Sequence, residues 1–305
     1  MKNHNKIIIT TILIVMIFVG IVCGKNFCSY LIPNNAMGVR SVVARNKIDT
    51  LFIGSSGYRK GIDMGEIADR LPGDSFMLTY NGNEPFNILI ELEEILRENV
   101  SIGTLIVDFN PSMADRGADL SDKRLLWDIS MVAKRKLWSE LKKEEGTDLF
   151  TFYDYWVLAN NDYMVTYPIS YPLISGRYYY GGSTPMDETE GKSKAELEAM
   201  TIVENPGVNN LQSDSILQII RLCQKNNINL IFMESPRYIT MERDVNYQAK
   251  SLELKSLIED NGANCVLRSD LEFDNTRSEY YSDLTHMSGE GKKEFTECII
   301  RILKK

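Results

Sequence analysis

Leu51-Phe52-Ile53-Gly54-Ser55-Ser56-Gly57-Tyr58-Arg59 is the stretch whose reading decides the fold. An apolar run ends abruptly in small residues, the pattern of a buried strand that stops at a tight turn. A serine held there points its hydroxyl into open space above the sheet edge. The same residues also fit a loop whose serine caps the next helix.

Working outward, strand and helix patterns alternate. Asp49–Ser56 reads as the first strand, and Asp63 caps a helix running to Leu71. Ser75–Tyr80 reads as a second strand, ending at Asn81-Gly82-Asn83. Glu84–Asn99 is an amphipathic helix with Ile88, Leu92, Ile95 and Leu96 on one face. Gly103–Phe109 is a third strand, ending at Asn110-Pro111. Further on, Leu211–Asn226 reads as helix, Asn229–Glu234 as strand and Asp244–Asn261 as helix. Cys265–Arg268 is a short strand and Gly289–Leu303 a last helix. Such alternation implies right-handed crossovers and a parallel sheet covered by helices on both faces. Sites in these sheets form at the C-terminal strand ends, here Ser55-Ser56, Asn81-Gly82 and Asn110.

The far end of the chain reads Tyr280-Tyr281-Ser282-Asp283-Leu284-Thr285-His286-Met287-Ser288. His4 and His286 are the only histidines, and His4 precedes an apolar segment. Asp283 lies three residues before His286. That spacing lets a carboxylate bond one ring nitrogen while the other faces a serine. The alternative is that Asp283 and Ser288 only cap the following helix.

Together the two ends resemble the SGNH (GDSL-like) hydrolase superfamily. Gly54-Ser55-Ser56 stands where that family has Gly-Asp-Ser, and Asp283-Leu284-Thr285-His286 matches its Asp-x-x-His block. The Ser-Gly-x-Gly helix start that often follows is present as Ser288-Gly289-Glu290-Gly291. Ser55 in place of the family's Asp resembles the membrane-anchored branch that decorates cell-surface polymers, as in alginate acetylation and teichoic-acid D-alanylation. The resemblance implies a three-layer α/β/α fold with a central parallel sheet in flavodoxin-like order. It implies Ser56 as nucleophile, with Ser55 as the alternative, His286 as base and Asp283 as its orienting acid. Its oxyanion hole is built from the serine amide, a glycine of the second block and an asparagine of the third. Gly82 and Asn110 are the matching positions, with Asn81 or Asn83 as alternatives to Gly82. The third block lacks the family's Gly-x-Asn-Asp form.

The resemblance further implies a serine-dependent enzyme that moves or removes an O-acyl group on a cell-envelope glycan. A multi-span membrane O-acyltransferase would be its acyl-donor partner. Two other readings stay open: a secreted-type esterase or lipase on small or lipid substrates, and a non-catalytic glycan-binding or scaffold protein that retains the fold.

Residues Ile7–Gly24 carry no charge. Eighteen helical residues span about 27 Å, close to a bilayer's hydrocarbon thickness. The expectation is an uncleaved single-pass membrane anchor over 1–24, a juxtamembrane linker over 25–48 and an extracytoplasmic domain over 49–305. Cleavage near Val22-Cys23-Gly24 is the alternative.

The chain has 305 residues, is 44% hydrophobic and carries a net charge of −8. It is long enough for a full core and lacks the basic patch that a nucleic acid needs. Its five cysteines form no CxxC pair and it has no histidine cluster, so neither a metal nor a cofactor is expected. Cys223, Cys265 and Cys298 fall in apolar patterns, whereas Cys28 has no assigned place.

Residues 112–208 interrupt the alternation. Leu120–Glu145 reads as charged helix, and Phe150–Tyr180 carries eleven aromatics in 31 residues. Tyr155, Trp156 and Tyr179 are candidates for a substrate surface, since such rings pair a flat apolar face with a polar tip. Packing of the insertion on the domain's own core is the alternative. Gly181–Lys194 reads as a loop and a candidate lid.

Overall fold

The computed structural model describes residues 6, 8–17, 19–20, 38–122, 125–144 and 189–304. Cys28, the aromatic run Phe150–Tyr180 with Tyr155, Trp156 and Tyr179, and residues 181–188 lie outside that set.

Five strands form one sheet in the order β2-β1-β3-β4-β5, every pair parallel. They are β1 (Lys47–Gly54), β2 (Ser75–Thr79), β3 (Ser101–Phe109), β4 (Asn229–Glu234) and β5 (Asn264–Val266). This is the expected flavodoxin-like order. The direction of winding reverses between β1 and β3, and such a sheet opens a crevice at the C-terminal strand ends there.

The pleat splits each strand's apolar residues between two cores. Leu51, Ile53, Leu105 and Val107 face one side of the sheet, while Phe52, Met77, Ile106 and Met233 face the other. The first side is covered by α1 (Val39–Val43), α4 (Pro85–Arg97), α6 (Met131–Leu141), α8 (Asn210–Lys225) and α10 (Val245–Asp260). The second is covered by α2 (Ser56–Gly61), α3 (Met64–Arg70), α9 (Ile239–Glu242) and α11 (Gly289–Leu303). The short α5 (Leu125–Asp128) and α7 (Lys194–Glu198) are also helical. The molecule is therefore the three-layer α/β/α arrangement expected from the alternation.

Val39 and Val42 are buried in the first core, so the folded body begins ahead of the expected boundary at residue 49. Cys223, Cys265 and Cys298 are buried free thiols in the two cores. Residues 8–17 are helical, and their large apolar side chains are exposed. Among the described residues no helix is long and apolar enough to cross a membrane. The span expected over Ile7–Gly24 includes residues 7, 18 and 21–24, which lie outside them.

Candidate active site

The turn after β1 is built on a close approach. A Cβ on Gly54 would meet the Cβ of Asp108 at 2.4 Å, so only glycine lets β3 lie this near. Asp108 Oδ2 accepts from the Ser55 amide at 3.1 Å and from the Ser55 hydroxyl at 2.6 Å. Burial pushes the Asp108 carboxyl up, and the two bonds from Ser55 pull against that shift. Ser55 Oγ also accepts from Gly57 N at 3.1 Å, which caps α2. Ser55 is thus 5% exposed, with its hydroxyl spent as donor and acceptor on the turn. Where the Gly-Asp-Ser block carries its acid in sequence, here the carboxylate arrives from the neighbouring strand.

Ser56 follows as the first residue of α2 and is only half-buried. Tyr58 anchors this short helix beneath the sheet ends, donating to Met233 O at 2.7 Å and Val107 O at 3.3 Å. Ser56 Oγ lies 2.8 Å from His286 Nε2. His286 Nδ1 lies 2.8 Å from Asp283 Oδ2. The other Asp283 oxygen accepts from the amides of Thr285 (2.8 Å) and His286 (2.9 Å) and from the Thr285 hydroxyl (2.9 Å). Partial burial works to raise the Asp283 carboxyl. The His286 bond and charge outweigh it with the Thr285 bonds, and hold it well below the usual carboxylate range. A carboxylate fixed by its own loop keeps the Nδ1 proton on its side, which leaves Nε2 as the acceptor facing Ser56.

The other expected positions stand around this triad. Tyr80 N donates to Gly54 O at 3.2 Å and Asn83 Nδ2 donates to the same oxygen at 3.2 Å, so the 80–83 turn lies against the serine turn. Within it Gly82 has φ +58°, a left-handed conformation that suits glycine. Asn83 is buried on its Gly54 bond, and Asn81 Oδ1 accepts from the Arg59 guanidinium. Both side chains are engaged, whereas the Gly82 amide makes no hydrogen bond within the described chain. Asn110 follows β3 and precedes a 3₁₀ turn at Pro111–Met113. Its Oδ1 accepts from the guanidinium of Arg237, a buried residue with no sequence signature.

Beside Thr285 opens a cavity of about 490 Å³, also lined by Met113, Ile202, Val203, Met241 and Arg237. The final part of the expected lid, residues 189–192, is tied to the loop that holds the triad. Lys192 N donates to Tyr281 O at 2.8 Å, and Gly289 N to Thr189 O at 3.3 Å. Among the described residues no group of His, Cys, Asp and Glu is placed to hold a metal ion.

No protein-family model matches the chain, and no curated protein matches it. Among solved structures, it is similar to a GDSL-like lipase from Bacteroides thetaiotaomicron VPI-5482. Identity is 10%, coverage is 85% of this chain and 88% of that one, and the TM-score is 0.39. A likeness at that score carries no argument about chemistry.

Proposed function

We propose that the chain is a serine enzyme acting on O-acyl esters. The observation that carries this reading is the continuous Ser56–His286–Asp283 line of two 2.8 Å contacts at the sheet's switch point. Ser56 Oγ attacks the acyl carbonyl while His286 Nε2 takes its proton. Asp283 holds the ring and stabilises the imidazolium that forms. The proton then passes to the leaving alcohol, and an acyl group is left on Ser56. The amide of Ser56, the amide of Gly82 and the Nδ2 of Asn110 are the donors offered to the oxyanion. Each such donor typically contributes ~3–4 kcal/mol to the transition state.

The finer reading is extracytoplasmic acyl transfer to, or removal from, a cell-envelope glycan, from a single-pass anchor at Ile7–Gly24. A multi-span membrane O-acyltransferase would supply the acyl group. It is supported by the family resemblance of the Gly54-Ser55-Ser56 and Asp283–His286 blocks and by the uncharged N-terminal run. The plain esterase reading is favoured by the apolar side chains of Met113, Ile202, Val203 and Met241 beside Thr285, which suit a small acyl or alkyl group.

The two readings part at the acyl-enzyme. Transfer needs a glycan hydroxyl to outcompete water at ~55 M, which positioning achieves through much larger effective molarities. The full chain is given an activated acetyl ester and followed by intact mass. A stable adduct on Ser56, discharged onto an added envelope glycan, is expected for transfer. Fast loss to water, whatever glycan is present, identifies an esterase. No adduct with any ester would leave the binding-protein reading. For the anchor, protease added to intact cells should digest the folded domain, and protection from it would remove the extracytoplasmic placement.

A further inference from the structure

Arg237 is 5% exposed and makes no direct ion pair among the described residues, although its charge acts on the buried carboxyls of Asp108 and Glu234. Burying a guanidinium that no carboxylate bonds directly is costly even with such charges nearby. Its surroundings hold it in one position. Asn275 Nδ2 donates to Arg237 O at 3.1 Å, and the guanidinium carbon lies 5.5 Å over the Tyr247 ring. The next residue, Tyr238, donates its amide to Leu284 O at 3.1 Å, inside the loop of the triad acid and base.

The guanidinium reaches Asn110 Oδ1 and, at 3.1 Å, Ser112 Oγ. Ser112 donates onward to Glu204, whose other oxygen takes Lys250 Nζ at 2.8 Å. Lys250 is fully buried and also bonds Asp115 at 2.9 Å. A buried polar chain therefore ends at Asn110, and arginine is its last link.

Arginine can only donate, so it dictates which way the Asn110 amide faces. The carbonyl oxygen must meet Arg237 and Nδ2 must turn away. That Nδ2 makes no hydrogen bond within the described chain, and Asn110 is partly open to solvent. Ile53 pairs with Val107 in the β1–β3 register, so Ser56 and Asn110 each lie three residues past a paired position. We propose that Arg237 is a positioning residue that locks the Asn110 amide with its donor toward the carbonyl attacked by Ser56. Its buried charge also polarises that amide, strengthening the donor as negative charge develops. This inference rests on the ester chemistry proposed above and adds to it a residue outside the triad and the family's blocks.

The test is a thermodynamic cycle on the acylation burst of the full chain with p-nitrophenyl acetate. Asn110→Ala should slow acylation about 100-fold. Arg237→Gln should slow it about 10-fold with KM unchanged, and Arg237→Lys, which keeps the charge and one donor, should fall between Gln and the parent. In the Asn110→Ala background, Arg237→Gln should add less than about twofold, because residues acting as one unit are non-additive. Thermal unfolding of each variant separates folding from chemistry, and Arg237→Lys carries the test if Arg237→Gln does not fold. Losses that multiply, or a folded Arg237 variant that acylates at the parent rate, overturn the brace alone. A parent chain that does not acylate Ser56 overturns the ester reading, and the brace with it.

Discussion

At Ser55 and Ser56, two adjacent hydroxyls have been given opposite surroundings. Ser55 is closed between Asp108 and Gly57, whereas Ser56 stands half-open against His286. Ser55→Ala should still allow acylation of Ser56, detected by peptide mapping of the adduct. It should also lower stability by about 1–3 kcal/mol, because Asp108 loses a buried donor. An adduct that disappears in Ser55→Ala and persists in Ser56→Ala would reverse the assignment. Ser56→Ala and His286→Ala should each lower turnover on the order of 10⁶-fold, and the double variant little further. Asp283→Asn should cost less, since Thr285 still shapes the loop and part of the imidazole population keeps its orientation. Turnover surviving in His286→Ala would exclude the mechanism. These residues were legible in the sequence because their motifs are local. Arg237 was not, because an arginine after Ser235-Pro236 carries no local pattern and acquires its place only when β4 meets the 283–286 loop.

The elements divide in the same way. The helix read at Asp63 is α3, whose cap is real: Asp63 Oδ1 accepts from Gly65 N at 2.8 Å and Glu66 N at 3.3 Å. Asp63→Ala should therefore cost about 1 kcal/mol in denaturant unfolding and leave acylation unchanged. A loss of acylation at unchanged stability would show that α3 does more than pack. Strands β2 and β4 and helix α11 were readable to within a residue, since buried parallel strands are short apolar runs and α11 has a strong apolar stripe. The six-residue α2 takes in Ser56, which the sequence places at the end of the first strand although β1 stops at Gly54. Ser55 caps it, as the alternative reading allows, and its fixing contact, Tyr58 to Met233, is long-range. On α4, Ile88, Leu92 and Ile95 of the expected stripe are buried and Leu96 is half-buried against the same core. Its polar side is also covered, with Glu94 accepting from Arg97 and Ser130 once α6 packs alongside. Periodicity shows one apolar face, and it does not show a neighbour that brings its own polar partners.

On the scale of the whole molecule, one buried acid ties stability to pH. Glu84 is fully buried at the N-cap of α4, with Oε1 accepting from Asp119 N at 2.8 Å. Burial pushes its carboxyl up to about 8. Folded, it keeps its proton up to that pH, whereas the unfolded chain releases it near the ordinary value of about 4.3. Between those values the unfolded state binds fewer protons, so stability falls as pH rises and levels off above about 8. Melting temperatures from pH 5 to 9 should therefore decline more steeply for the parent than for Glu84→Gln, and equal slopes would rule out Glu84 as the source. The sheet order has a consequence of another kind. Ser56 and His286 are separated by 230 positions in the chain. The proposed nucleophile is made well before the proposed base, so until the 283–286 loop follows it the polypeptide carries an ordinary alcohol at Ser56. On the proposed chemistry, Ser56 gains its reactive partner only when the 283–286 loop docks beside α2, so the fold itself withholds reactivity until it has formed.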